Sequence, residues 1–184
     1  MANNVKNVSV GKPKVSGAIF VADIGTTLPT DAVSELDAAF KGLGYVSEDG
    51  VENENTAEFS STKAWGGDTV IQSLTEKPDT FKYTLLEVLS VEVLKHVYGD
   101  DNVTGTLATG ITVKANSDEP IEKSVVIDMN LRDGALKRVV IPDCKLTEVG
   151  TIVYKDDEAV GYECTETAFP DATGNTHYEY IIRS

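Results

Sequence analysis

Apolar and polar residues alternate with a period of two along most of the chain, which is the pattern of β-strands with one buried face. In 80–86, for example, Phe81, Tyr83 and Leu85 would share one face of a strand. Turn-rich segments separate these stretches, so the pattern predicts a mainly β protein, a β-sandwich or open barrel. The predicted strands are 15–22, 43–46, 68–75, 80–86, 107–113, 124–131, 137–146, 151–154, 159–169 and 177–182.

A turn sequence predicts the first strand pair. Residues 76–79 (EKPD) place Pro78 at the first corner of a turn, where its fixed φ is favourable. We therefore expect 68–75 to pair with 80–86 as a hairpin.

A second turn sequence predicts another hairpin. Residues 132–134 (RDG) join the strand 124–131 to its return strand 137–146. Pro142 lies inside the return strand and has no backbone N–H, so it indicates either a sheet edge or a bulge.

Helical spacing replaces the alternation at two places. In 91–98, Ser90 would cap a short helix that Gly99 ends, and its single apolar side should lie against a sheet. That side consists of Val91, Leu94, Val97 and Tyr98. A second short helix is predicted over 31–40. Its cap would be Thr30 or Asp31, and its apolar side would consist of Val33, Leu36 and Phe40.

The segment 48–64 follows neither period. It is rich in acids, has no basic residue before Lys63 and holds few large apolar side chains. Such a segment would not be stable inside a core, so we expect a long exposed excursion or an extended hairpin. Trp65, the only tryptophan, follows it directly. The residue is either an anchor in or at the rim of the core, or a contact between subunits, where Trp is enriched.

The net charge of the chain limits the classes of function that it can have. The 184 residues suit a single domain, and their formal net charge of −14 argues against a protein that grips nucleic acid, because phosphate binding needs Lys and Arg. An acidic wall would instead let nucleic acid slide past. Residues 1–10 hold no signal-like apolar stretch, and no run approaches about 20 apolar residues, so we expect a soluble chain.

Motifs for chemistry are missing. The segment 105–110 resembles half of a phosphate loop, but Ile111 and Thr112 stand where Lys and Ser or Thr are needed. The two histidines, His96 and His177, are too few for most metal sites and are expected at the surface or an interface. We predict no catalytic residue, no cofactor and no metal, and hence no enzyme.

The two cysteines, Cys144 and Cys164, lie in strand-like stretches and form no Cys-x-x-Cys pair. The favoured interpretation is two small buried thiols. A bridge between neighbouring strands stays open, because sequence does not give the separation of the two Cα atoms.

The order of several short motifs is more specific than any one of them. Together they resemble the major tail tube proteins of long-tailed, non-contractile bacteriophages, the siphophage major tail protein family. The resemblance covers nearly the whole chain. Its motifs are VSGAIF (15–20), LP (28–29), GLGYVSEDG (42–50), WGGD (65–68), TFKYTLLE (80–87), VEVLKHVYG (91–99), IPDCKL (141–146), GYEC (161–164) and FPD (169–171).

This resemblance implies one tail tube domain over 1–184, with two packed antiparallel sheets, a flanking short α-helix and a long extended loop. Residues 1–14 would form an N-terminal arm, and 48–67 would be the extended loop that contacts the next ring. The residues implied at that contact are Glu48, Asp49, Glu52, Glu54, Glu58 and Trp65.

The resemblance also implies an assembly. Hexameric rings would stack into a tube in the virion tail, built in the host cytoplasm, and DNA would pass through its lumen without specific binding. The implied partners are further copies of the chain and the tape measure, tail terminator and tail tip proteins, with no membrane partner.

A second hypothesis is a monomeric β-sandwich that binds carbohydrate or a cell-surface partner. That function needs exposed aromatic side chains in a groove. The candidates are Trp65, Tyr154, Tyr162, Tyr178 and Tyr180.

Overall fold

The computed structural model describes residues 3–14 and 17–183, and it is mainly β with one short α-helix, α1 (Val91–Tyr98). The strands are β1 (Lys12–Pro13), β2 (Ile19–Asp23), β3 (Lys41–Gly42), β4 (Val46–Glu54), β5 (Glu58–Lys63), β6 (Thr69–Glu76), β7 (Thr80–Leu85), β8 (Val103–Thr106), β9 (Gly110–Val113), β10 (Lys123–Asn130), β11 (Ala135–Val149), β12 (Tyr162–Ala168) and β13 (Tyr178–Arg183). Within these described ranges, no helix is long and apolar enough to cross a membrane.

Nine strands are hydrogen-bonded into one antiparallel sheet in the order β3-β2-β10-β11-β12-β7-β4, with β1 on β10 and β13 on β11. Two small hairpins, β5–β6 and β8–β9, stand apart from this sheet. The predicted mainly β, antiparallel class with a flanking helix is confirmed.

Strand β11 changes its partner halfway along. Its first half pairs with β13 up to Val140, and its second half pairs with β12 from Cys144 onward. At this change Pro142 and the residue after it lie opposite the single residue Ser124, whose hydroxyl donates to the Pro142 carbonyl at 2.7 Å. Pro142 therefore marks a bulge, as one alternative predicted, and the sheet-edge alternative is wrong because β11 is a central strand.

The core lies on both faces of β10. One face shares a large apolar cluster with β2, β7, β11, β12 and α1, whose Val93 and Leu94 are buried in it. The other face shares a smaller cluster, which contains Val126 and Phe40. The predicted helix is confirmed, and Gly99 ends it at a φ of 94°, which favours glycine.

The predicted helix over 31–40 is wrong. Its start signal is present, because the carboxylate of Asp31 accepts hydrogen bonds from the N–H groups of Val33 and Ser34, at 2.7 and 2.6 Å. However, Arg138 donates to the carbonyls of Asp31 and Ser34, at 3.1 and 2.9 Å, and so occupies acceptors that a helix would use. The segment remains irregular and covers the smaller cluster with Phe40 and Leu36.

The predicted pairing of 68–75 with 80–86 is also wrong. Strand β6 pairs with β5, whereas β7 pairs with β4 and β12. The apolar face of β7 draws that strand into the core, where Phe81, Tyr83 and Leu85 are buried as predicted. Strand β6 is exposed along its whole length, so no burial of apolar side chains holds it beside β7 in the sheet.

Several strand boundaries also differ from prediction. Residues 151–154 form no strand, because β11 ends at Val149 and Gly150 then donates its N–H to the Glu163 carbonyl at 2.8 Å. Only Val46 of 43–46 is in a strand. The strand predicted at 107–113 is the shorter β9, and its partner β8 was expected to be a loop.

Candidate assembly surface

Neither face of the hairpin β5–β6 is buried against the core. Every residue of both strands is exposed, on either side of the ribbon. Cross-strand pairs place Phe59 opposite Leu74 on one side and Thr62 opposite Ile71 on the other. A two-stranded hairpin by itself is at best marginally stable in water. The chain's own core therefore adds little to its stability.

The hairpin also exposes large apolar side chains, each more than half accessible to solvent. They are Phe59, Trp65, Val70, Ile71 and Leu74. Single exposed apolar residues are normal on protein surfaces, but a concentration of them on one projecting element marks an interaction site. The hairpin is therefore the best candidate for a contact with another molecule.

The tip of the hairpin presents Trp65 to solvent. The backbone closes around it, since Ala64 donates to the Asp68 carbonyl at 2.8 Å and Gly67 donates to the Ala64 carbonyl at 3.0 Å. Gly66 and Gly67 have φ angles of 128° and 100°, which other residues rarely adopt. The indole is fully exposed. The interpretation of Trp65 as a core or rim anchor is wrong.

The root of the hairpin is held by one buried carboxylate, that of Asp79. It accepts hydrogen bonds from Asn53 at 2.8 Å and Thr176 at 2.5 Å, and Nδ1 of His177 lies 2.5 Å away. Asn53 precedes β5 and Asp79 follows β6, so one side chain ties both legs of the hairpin to the segment before β13. Burial opposes its ionisation, but the bonds from Thr176, Asn53 and His177 outweigh that effect and lower the pKa of Asp79 below 3.8.

We expect Asp79→Asn to destabilise the folded chain by about 1.5–3 kcal/mol at pH 7, the range for hydrogen bonds to a charged group. Because the pKa of Asp79 is lower in the folded state, its ionisation adds stability above about pH 4, and that stability is lost as the pH falls further. The variant should therefore lose less stability between pH 5 and about pH 3 than the wild type. Urea unfolding across this range measures both effects. Asp156→Asn, at an exposed turn, is the control and should match the wild type.

The second notable surface is one polar face of four strands, β4, β7, β12 and the second half of β11, which we call the open face. The opposite face of these strands carries the core residues. The open face consists of Glu52, Glu54, Thr80, Lys82, Thr84, Lys145, Thr147, Glu148, Glu163, Thr165 and Thr167. It holds no large apolar residue, and its four glutamates outnumber its two lysines.

Both lysines of the open face are paired with carboxylates. Lys82 lies 3.0 Å from Glu163, and Lys145 lies 2.8 Å from Glu119. The hydrogen bond from each lysine to its glutamate, with the nearby negative charge, raises the pKa of Lys82 and of Lys145 above 10.5. These lysines stay charged at neutral pH but are already neutralised, so the face offers phosphate little attraction.

The structure divides the six residues implied at an inter-ring contact. All are exposed, but only Glu58 and Trp65 belong to the hairpin, at its root and its tip. Six residues of extended strand separate these two ends by about 20 Å. Glu52 and Glu54 lie on the open face, and Glu48 and Asp49 lie on β4 near its irregular pairing with β7. The assignment of these residues to a contact remains a hypothesis.

The expectation of surface histidines is wrong for His96. Its side chain is 4% exposed, and its Nε2 lies 2.9 Å from the carboxylate of Glu166, which also accepts a bond from the Tyr83 hydroxyl at 2.9 Å. Burial alone would raise the pKa of Glu166, but the bonds and charge of His96, with the bond from Tyr83, lower it. This buried pair joins α1 to β12. The sequence carries one indication of this pair, because Glu166 follows the alternation of the residues on the buried side of β12.

The two cysteines are free and buried, as the favoured interpretation predicted. Burial raises the pKa of the Cys144 thiol well above its ordinary value and that of Cys164 to about 12. Neither thiol is therefore ionised at neutral pH, which makes both unreactive.

The aromatic residues do not form the groove that a binding module needs. Tyr162 is buried and packs edge-on against Tyr98. Tyr178 and Tyr180 are half-buried and stack on each other, while Trp65 lies alone at the hairpin tip. The five candidates therefore do not share one exposed surface.

A family model described as "Phage tail tube protein" matches residues 1–184, the whole chain. The search of the curated proteins found no match. The matched region includes both the hairpin and the open face.

Proposed function

Because this chain belongs to the phage tail tube protein family, we propose that its copies form hexameric rings, which stack into a tube that conducts DNA from the capsid to the host. The chain is a structural subunit of the tail tube. The observation that best supports self-assembly is the β5–β6 hairpin, whose exposed apolar residues have no partner surface within the core clusters.

Neighbours within a ring would meet through sheet edges. In the part of the chain that the structure describes, β13 pairs with β11 alone, so its other edge is free to pair. It exposes Ile181 and Ile182. At the far end of the sheet, β4 has a free edge as well. Unpaired edges readily add a strand from another chain, which suits a closed ring of identical subunits.

The open face is our candidate for the wall of the lumen. It is wide, polar and negatively charged, and its lysines are neutralised by neighbouring glutamates. DNA phosphates would meet mild repulsion and no fixed cation, so the duplex could slide without a binding site. The hairpin would make the contact between rings.

Charge reversal tests the lumen assignment. Glu52 lies directly opposite Lys82 in the sheet, so Glu52→Lys would place two cations side by side. We expect tubes of this variant to retain short duplex DNA at low salt and to release it as salt rises, whereas wild-type tubes retain none. Co-sedimentation of labelled duplex with tubes is the measurement.

The control is Glu35→Lys, which makes the same charge change at an exposed position of the 31–40 segment, outside the set of residues that form the open face. Equal DNA retention by both variants would show that net charge, not the open face, governs the effect. Tubes of Glu52→Lys that retain no more DNA than wild type would contradict the lumen assignment.

Electron microscopy of the purified protein over a concentration series tests assembly itself. We expect rings and tubes with an open central channel. Particles that stay monomeric at every concentration, also after addition of the tail tip proteins, would contradict the proposal.

The remaining roles follow from the same proposal. The subunit acts without catalysis and without a cofactor. Its partners are further copies and the tape measure, tail terminator and tail tip proteins. It is assembled in the host cytoplasm and resides in the virion tail.

A further inference from the structure

We propose that Trp65 at the hairpin tip of one copy inserts into a cleft beside α1 of a second copy. This inference rests on the proposed function, because it names the receiving site of the contact between rings. Its basis is a fully exposed indole and an unfilled cleft on the same chain.

The cleft lies between the C-terminal end of α1 and the segment 115–121, and its volume is about 470 Å³. That volume falls within the range of sites that hold drug-sized molecules, so an indole ring fits. Apolar groups line it, among them Tyr98, Pro120, Ile121 and Leu146. Ile121 is largely exposed, although it is a large apolar residue. Aromatic anchors in such pockets commonly dominate the energy of an interface.

Charge supports the same pairing. Acidic residues line the cleft, namely Asp100, Asp101, Asp118 and Glu119, of which Glu119 is already paired with Lys145 at 2.8 Å. Two lysines line it as well, Lys95 and Lys123, but Lys123 is neutralised by Asp23 and Asp100, at 2.7 and 2.5 Å. The hairpin tip carries Lys63, two residues before Trp65, and Asp68, three residues after it. An incoming tip would thus bring one charge of each sign to an opening that holds Lys95 beside Asp101 and Asp118, so docking can set opposite charges against each other.

The arrangement is head-to-tail. Trp65 is exposed to solvent, so it does not occupy the cleft of its own chain. The hairpin tip and the cleft are different surfaces of the chain. A contact between the tip of one copy and the cleft of another leaves a free cleft on the first copy and a free tip on the second. Such heterologous contacts extend without limit unless they close into a ring. They therefore suit the stacking of rings along a tube.

Cross-linking between cysteine variants tests the contact. Ala64→Cys lies beside Trp65, and Ala115→Cys lies on the cleft wall, so both the indole and the apolar lining stay intact. The native thiols of Cys144 and Cys164 are fully buried and should not react. Ala172→Cys, at an exposed turn, is the matched control. Mixed pairs of variants are assembled and treated with a short bismaleimide.

We expect the mixture of Ala64→Cys and Ala115→Cys to give a cross-linked dimer, and neither variant alone to give one. Trp65 fluorescence should also shift to shorter wavelength on assembly, since the only indole becomes buried. Tubes that cross-link Ala64→Cys to itself or to Ala172→Cys, or that give no cross-link, would overturn this inference but leave tube formation standing. Failure of wild-type chains to assemble at all would overturn both.

Discussion

Replacement of residues 59–75 by a short Gly-Ser linker is expected to abolish tube assembly and to leave the folded subunit intact. The segment contributes no residue to either core cluster. Its loss should therefore change the free energy of unfolding by no more than about 0.5 kcal/mol, as for surface changes generally. The carboxylate of Asp79 and its bonds to Asn53 and Thr176 stay in place, so the root remains closed.

The expected effect on assembly is large, because the linker removes all five exposed apolar side chains of the hairpin. Burial of one such side chain contributes about 1.5–3 kcal/mol, and each 1.4 kcal/mol changes an association constant tenfold. We expect the critical concentration for assembly to rise by more than about 100-fold. Sedimentation and electron microscopy measure this, while circular dichroism and urea unfolding follow the fold.

Deletion of the exposed acidic turn 156–158 is the matched control and should leave assembly unchanged. Full-length tubes from the linker variant would contradict the role of the hairpin. A linker variant that is unfolded would show instead that the hairpin is part of the folding unit.

Arg138→Ala is expected to destabilise the subunit by up to about 3–5 kcal/mol, the cost of breaking a buried ion pair. Only the partly exposed Lys14, 3.4 Å from the Asp128 carboxylate, would remain as a cation beside it. Arg138 is 1% exposed and binds Asp128 through two hydrogen bonds, at 2.6 and 2.8 Å. It also donates to the carbonyls of Asp31 and Ser34, so the substitution would release the 31–40 segment from the sheet.

Urea unfolding of monomeric protein measures this loss. Arg132→Ala is the control, because Arg132 is exposed and its nearest carboxylate contact is long, at 3.8 Å. We expect that change to cost less than about 0.5 kcal/mol. The double variant Asp128→Leu with Arg138→Met should recover part of the stability, since it removes both charges together. If Arg138→Ala unfolds at the wild-type urea concentration, the ion pair contributes nothing.

The Asp128–Arg138 pair was not predicted, although the sequence carries its signal. Both charges interrupt apolar stretches, and the predicted turn at 132–134 sets them directly opposite each other in the sheet. Opposite charges at facing strand positions form a cross-strand pair. The alternation of apolar and polar residues could not predict that Asp128 and Arg138 are buried, because the 24–40 segment that covers them comes from far away in the chain.

Features set by neighbouring residues were determined by the sequence itself. The helix α1, the hairpin of β10 and β11 and the buried face of β7 depend on local period and on turn chemistry. The family resemblance was likewise visible in the order of motifs, and the family match confirms it.

Features set by distant contacts were decided only by the tertiary structure. Strand β6 pairs with β5 because the core takes β7, and 31–40 is not helical because Arg138 binds two of its carbonyls. His96 is buried because Glu166, far along the chain, meets it in the core. Trp65 is exposed because β5 and β6 carry it away from the sheet. Period and composition report on a residue's own element, whereas burial depends on which elements meet in three dimensions.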